Sequence, residues 1–484
     1  MISLLTAMLL AQGWPTTVTP NLPVCIAARD QRDVSACSDG QGGAYVISVD
    51  GNTEADSTGT LRAQHVLADG TPEWGDAGTL GLLIEPASGE GYLVQPRLVS
   101  DPAGGFYAMW LDQAVPRYAV ARHRADGTRV FVEFLSAQNP YHFQLASDGM
   151  GGALAVVYGI NELRLVRFGP LGADWSQSIS GGTSNAGAPR VVADELGRAL
   201  VAFRHASGAR FFRFPATGGA GVSLDLPMVL LNATPDVASD GQGGGWIAFG
   251  ARPGGPGTTF GVWLRRFRED GGVDALSDGG LTGLHQVEAG DTVNAFLGVR
   301  LAQDPLGGVF IWWWTPGSMP WLAHYSDTGL DWKRAVGLSS TLTTRNAPDT
   351  SNYNSPIHVT STGMLVANVT QMNAQDLRIY DRLGIPQYSG LIPLGQLSPQ
   401  GSRFFSQQLV PAGTGVILAF DEINGPNDNG NIFAKRFDLV SGTLGRPDAG
   451  TDAGVDAGVD AGVDAGVDAG VEAGVDAGVD AGVD

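Results

Sequence analysis

Cysteine and lysine are almost absent: the 484 residues contain two Cys, Cys25 and Cys37, and two Lys, Lys333 and Lys435. Two Cys without His at matching spacing are too few for a structural zinc site. In an exported chain, the Cys25 and Cys37 pair is a candidate for one disulfide, and the alternative is two small buried hydrophobes. No segment approaches 18 continuous apolar residues, so no membrane span is expected. Charged residues make up only 16% of the chain, and the balance is acidic, with a formal net charge of −20. From Pro447 onward there are nine Asp and one Glu and no cation, which leaves about −10 on the rest. A surface of that sign repels phosphate backbones and anionic lipid, so neither nucleic acid nor a membrane surface is an expected partner. Signatures of chemistry are missing too. The seven His form no HExxH pair, and no GxSxG, Walker or Rossmann pattern occurs. A non-catalytic role is therefore the first expectation.

Glycine is plentiful, with 70 residues, which argues against a helical protein because Gly weakens helix interiors. Much of it belongs to a repeat. Ser38 to Gly43 reads SDGQGG, Ser100 to Gly105 SDPAGG, Ser147 to Gly152 SDGMGG and Ser239 to Gly244 SDGQGG. Asp304 to Gly308 reads DPLGG, and degenerate copies stand at Ala193 to Arg198, Ser361 to Gly363 and Pro411 to Gly415. Successive turn Asp residues (Asp39, Asp101, Asp148, Asp194, Asp240 and Asp304) lie 46 to 64 positions apart, the range of a propeller blade. Each copy is followed by a β-prone run such as Phe106 to Trp110, and each unit then holds a second Gly-marked hairpin. Asp accepts hydrogen bonds from turn amides, so a structural role for these six residues is the plain reading. The expected fold is a single all-β propeller of eight, or seven, four-stranded blades over residues 14 to 446. The last unit lacks a fourth strand and the first leaves an orphan segment, so Leu22 to Ala28 is expected to close the ring and remove the exposed edges.

The units resemble the repeats of large secreted bacterial proteins that carry SDGxGG and RxDxxGxxxW motifs, over about residues 20 to 440. Ser361 and Pro411 depart from that pattern, since the turn Asp is absent there. The resemblance implies a propeller and leaves the activity open.

The two termini read differently. Leu4 to Leu10 fits the apolar region of a signal peptide, with cleavage after residue 13, which makes the expected location secreted or cell-surface. Residues 447 to 484 repeat Asp-Ala-Gly-Val and cannot bury enough surface to fold, so a disordered acidic tail, similar to linkers of bacterial surface proteins, is expected.

In a four-stranded meander the first and third turns share one end, and the second turn and the blade link share the other. The first and third turns are short and repetitive. The second turns vary, as in 52 to 60, 252 to 260, 315 to 320 and 422 to 430. Variable loops on a rigid scaffold are the usual place for binding. Trp321, Met319 and Asp428 are the candidate binding residues, against the alternative that Trp312, Trp313, Trp314 and Trp321 serve blade packing. The oxygen-rich stretch Asp421 to Gly430 fails EF-hand spacing, so Ca²⁺ is only a weak candidate and no cofactor is expected. Ser326 to Trp332 resembles the Asp-box of sialidase propellers but is one residue short. The first functional expectation is a monomeric binding or adhesion-type protein for polysaccharide or protein. The alternatives are an extracellular glycan-cleaving enzyme and a structural spacer.

Overall fold

The computed structural model describes residues 14–17, 21–25, 31–51, 59–75, 81–85, 93–136, 142–159, 162–179, 189–205, 208–227, 229–230, 234–252, 260–270, 285–290, 298–314, 320–336, 357–370, 374–388, 392–396, 401–424, 429–440 and 442–444. One compact unit runs from Met1 to Gly445. Residues 1 to 13 and the Asp-Ala-Gly-Val repeat lie outside the described residues, as do Met319 and Asp428.

The described strands form eight antiparallel sheets. Blade 1 comprises Gln31–Ser38, Ala44–Asp50, Thr60–Val66 and Leu82–Glu85, and blade 2 Leu93–Ser100, Phe106–Asp112, Arg117–His123 and Arg129–Ser136. Blade 3 comprises His142–Ser147, Ala153–Gly159, Glu162–Gly169 and Gly172–Ile179, and blade 4 Arg190–Ala193, Ala199–His205, Gly208–Phe214 and Val222–Pro227. In blade 5, Val229–Leu230 and Asp236–Ser239 both pair with Gly245–Arg252, followed by Phe260–Phe267 and His285–Gly290. Blade 6 comprises Gly298–Gln303, Val309–Trp314, Trp321–Ser326 and Gly329–Ala335, and blade 7 Ile357–Val359, Leu365–Thr370, Ala374–Tyr380 and Ile392–Gln396. Blade 8 contributes Gly401–Ala412, Gly415–Asn424 and Asn429–Asp438. Its outer strand is Leu22–Cys25, with Leu22 opposite Ala434 and Pro23 opposite Phe433, and the short Thr443–Leu444 pairs further along the same third strand.

The first strands of neighbouring blades contact one another in cyclic order, and blade 8 returns to blade 1. The chain is thus an eight-bladed β-propeller, closed by its N-terminal strand. The degenerate seventh and eighth repeats are full blades, so the count is eight and not seven.

Alternation along each strand builds the interior. In the first strand of blade 1, Val34 and Ala36 pack with Val410, Ile417 and Ile432 of blade 8. Cys37, one residue on, faces the other way and packs with Leu98 and Phe106 of blade 2. Apolar clusters of this kind fill the spaces between blades around the ring. Removing one buried aromatic such as Phe106 costs about 3–5 kcal/mol.

The same alternation overturns the disulfide expectation. Cys25 and Cys37 are both buried thiols and are not bonded to each other. Cys25 lies in the cluster between blades 8 and 1, and Cys37 in that between blades 1 and 2, so the sheet of blade 1 separates them. Burial pushes the Cys37 thiol up to about 12, which keeps it protonated and unreactive.

Candidate functional site

The two ends of the ring are built differently. At the turn end, each turn Asp is a clamp. Asp148 accepts from the amides of Met150 (2.8 Å) and Gly152 (2.7 Å) through Oδ1, and from Arg167 Nε (2.8 Å) through Oδ2. Asp39 repeats the pattern with Gln41, Gly43 and His65, and Asp240 with Gln242, Gly244 and Arg266. Asp101 holds Ala103 and Arg122, and Asp304 holds Leu306, His324 and Arg382 of the next blade. In blade 4, Asp194 is bound by Arg198, four residues along, at 2.6 Å. Gly105 shows why glycine follows. Its φ is +102°, and a Cβ there would lie 2.1 Å from the His123 carbonyl oxygen.

Five of the clamp cations share one register position on the third strand, while Arg198 and Arg382 lie in turns. His65 lies opposite Tyr45, Arg122 opposite Tyr107, Arg167 opposite Leu154, Arg266 opposite Trp246 and His324 opposite Phe310. Two of them also reach the next blade: Arg122 donates to Pro170 O, and Arg266 pairs with Asp327. Arg436, at the equivalent place in blade 8, donates to Gly42 O (3.0 Å) and Ala68 O (2.9 Å) of blade 1. The ring is therefore stitched shut at this end by polar bonds as well as by its N-terminal strand. His65 sits between Asp39 (3.0 Å) and Glu73 (2.6 Å). Burial alone would lower its pKa, but the hydrogen bonds to the two carboxylates outweigh it and hold His65 above the usual histidine value. Burial likewise opposes ionisation of Asp39, yet bonds from His65 and the turn amides keep its carboxyl below the ordinary range.

At mid-height the first strands present a polar ring, four residues before each turn position: Ser35, Arg97, Gln144, Arg190, Asp236, Arg300 and Gln408. The acceptors brace neighbouring blades. Ser35 Oγ accepts from Leu98 N, Gln144 from Val191 N, Asp236 from Leu301 N and Gln408 from Ala36 N. Arg97, Arg190 and Arg300 are buried at the same level. Seven blades thus place a polar side chain at this level, and the equivalent residue of blade 7 lies outside the described residues.

The loop end is where the variable second turns lie, most of them outside the described residues. Trp321 is half-buried, beside the 315–319 loop, and stacks on Trp313 with ring centroids 6.3 Å apart and planes 13° from parallel. Lys333 Nζ lies 5.0 Å from the Trp321 ring centroid and 5.5 Å from that of Trp313, within cation–π range. Trp313 is fully buried in the blade 5–6 cluster, and Trp321 packs against that cluster as a partly buried ring.

Four described carboxylates at the loop end are engaged in the chain's own bonds. Asp421 Oδ2 accepts from Asp33 N (3.2 Å), and Asp33 Oδ2 from Gln95 N (3.3 Å), which links blades 8, 1 and 2. Asp33 and Gln95 occupy matching bulges with φ of +58° and +55°. Asp50 is bonded by Gln31 and Arg62, and Asp112 by Arg117. Among the described residues no group of three or more His, Cys, Asp or Glu is arranged to hold a metal ion. The Asp-box-like stretch is part of a clamp: Asp331 binds His324 and Ser326, and Trp332 donates to Arg382 O.

Sequence reasoning missed the third-strand cations and the polar ring. Both are invisible along a single repeat and emerge when the repeats are aligned on the turn Asp.

No family model and no curated protein matches the sequence. Among solved structures, the chain is similar to the Dos1 propeller, at 8% identity and TM-score 0.46, with 88% of this chain and 96% of that one covered. It is also similar to the β-propeller domain of the trilobed protease from Pyrococcus furiosus, at 9% identity and TM-score 0.41, covering 85% and 95%. A protein of unknown function from Dyadobacter fermentans gives 12% identity and TM-score 0.38, covering 87% and 95%. At these values the likenesses carry no argument about activity. No helix among the described residues is long and apolar enough to cross a membrane.

Proposed function

We propose that the chain is an extracellular or cell-surface binding protein that recognises a polysaccharide or another protein through the loop end of its propeller. The variable second turns stand at that end on a rigid scaffold, the usual place for recognition. The observation that carries the reading is the Trp321 platform. An aromatic ring, stacked on Trp313 and within cation–π range of Lys333, opens the third strand of blade 6 at its loop end. Rigid aromatic surface of that kind offers apolar area to a sugar face or to a partner side chain at little entropic cost.

The test is a broad polysaccharide and glycan array probed with the full chain and with Trp321→Ala. Saturable binding that the substitution weakens about 30-fold, the effect of losing an anchor worth about 2 kcal/mol, supports the reading. Binding that Trp321→Ala leaves unchanged moves the site elsewhere, and an array with no bound glycan leaves a protein as the ligand class.

A further inference from the structure

The turn end carries, besides the clamps, most of the large apolar side chains that the described residues leave exposed. They recur at two repeat positions. One lies two residues after the turn Asp: Met150, Leu196 and Leu306. The other is the tip of the third turn: Leu171 is 88% exposed, Leu383 70% and Val440 81%. At the first position the side chain leans over the turn glycine of the next blade. A Cβ placed on Gly197 would lie 2.6 Å from Met150 Sδ, and one on Gly363 would lie 3.2 Å from Leu306 Cδ1. The apolar groups thus bridge blade junctions 3–4 and 6–7. The turns that carry them are braced by main-chain and carboxylate hydrogen bonds, so binding there orders little new structure.

The charges around these tips have one dominant sign. Exposed carboxylates at this end include Asp69, Asp126, Asp174, Glu195, Glu269, Asp270 and Asp327, whereas the exposed cations among the described residues there are Arg124, Arg129 and Arg268. Glu269 and Asp327 reach outward while still pairing with Arg198 and Arg266. Such a surface repels anionic partners and complements apolar side chains flanked by Lys or Arg. We infer that the turn end is a second docking surface, distinct from the loop end, and that it takes a basic protein segment anchored by apolar side chains.

The experiment uses the full chain and two labelled amphipathic peptides of equal length, one of Leu and Lys and one of Leu and Glu, with binding read by fluorescence anisotropy. The Leu/Lys peptide is expected to bind saturably and more weakly as salt rises, and the Leu/Glu peptide not to bind. The variant carrying Leu171→Asp and Leu383→Asp should bind at least 10-fold more weakly at an unchanged unfolding midpoint, since both side chains are exposed. Leu83→Asp, on the outer strand of blade 1, and Trp321→Ala should leave peptide binding intact, which separates this surface from the loop end. The inference is overturned if neither peptide binds, if both bind alike, or if the double variant binds as well as the parent. It is also overturned if sedimentation shows self-association that the double variant abolishes, because the occupant would then be a second copy.

Discussion

Replacing Asp148 by Ala removes one carboxylate and four hydrogen bonds at once. Oδ1 holds the amides of Met150 and Gly152, and Oδ2 holds Nε and a terminal nitrogen of Arg167 at 2.8 and 2.6 Å. The Gly152 amide is buried and would lose this acceptor, at about 1–3 kcal/mol. Arg167 is partly exposed and keeps Asp174 as a second partner, so the loss of its ion pair costs about 1 kcal/mol. With a smaller share for the Met150 amide, the total is about 3–4 kcal/mol. For roughly 400 cooperatively folded residues at about 2.1 cal/mol/K each, that lowers the unfolding midpoint by about 4 °C. Asp148→Asn keeps a side-chain oxygen for the amides and gives up the charge, so it should cost about a third as much. Urea unfolding of both variants, with a double-mutant cycle against Arg167→Ala, separates the two contributions. A cost below about 0.5 kcal/mol for Asp148→Ala would refute the clamp as a stabilising device, because that is the range of an ordinary surface substitution.

Gly105→Ala should destabilise by more than about 2 kcal/mol, since φ is +102° and the new Cβ would meet a backbone oxygen at 2.1 Å; circular dichroism melts check it. His358 is pushed down to about 4 by burial. As pH falls from about 6.5 toward 4, the unfolded chain takes up a proton that the folded chain refuses, so stability drops by about 2 kcal/mol, a loss that His358→Phe removes in acid denaturation curves. His65 has the opposite sign: its pKa is raised, so its contribution is present below about 6.5 and fades as pH rises, and His65→Gln should flatten that limb of the stability–pH curve. Cys25 and Cys37 should resist alkylation in the native chain and both react after unfolding without reductant; a protected pair under those conditions would mean a disulfide.

Much of the architecture is legible in the turn repeats because Asp-x-x-Gly-Gly encodes a local geometry. The degenerate copies keep that geometry by other means. Thr360 donates its amide to Met364 O, and its Oγ1 accepts from Met364 N at 3.0 Å, so blade 7 needs no Asp. The closing strand is readable from two incomplete ends that fit. The disulfide expectation failed because separation along the chain says nothing about which face of a strand a side chain takes, and Cys37 faces blade 2. The clamp cations were hidden because Asp148 lies in the first turn and Arg167 on the third strand, and the pairing appears only once register is known. Of the candidate binding residues, Trp321 stands at the loop end, while Met319 and Asp428 lie outside the described residues.

The N-terminal strand closes the ring of eight blades, and the register of its pairing is what cross-linking can probe. Leu22 faces Ala434 across the closing pair. In a background of Cys25→Ser and Cys37→Ser, the variant with Leu22→Cys and Ala434→Cys should form an intramolecular disulfide on mild oxidation, detected by mass and gel mobility. A pair offset onto an outer strand elsewhere, Leu22→Cys with Phe134→Cys, should not. Failure of the first pair to bridge, or equal bridging by the second, would contradict closure by this strand.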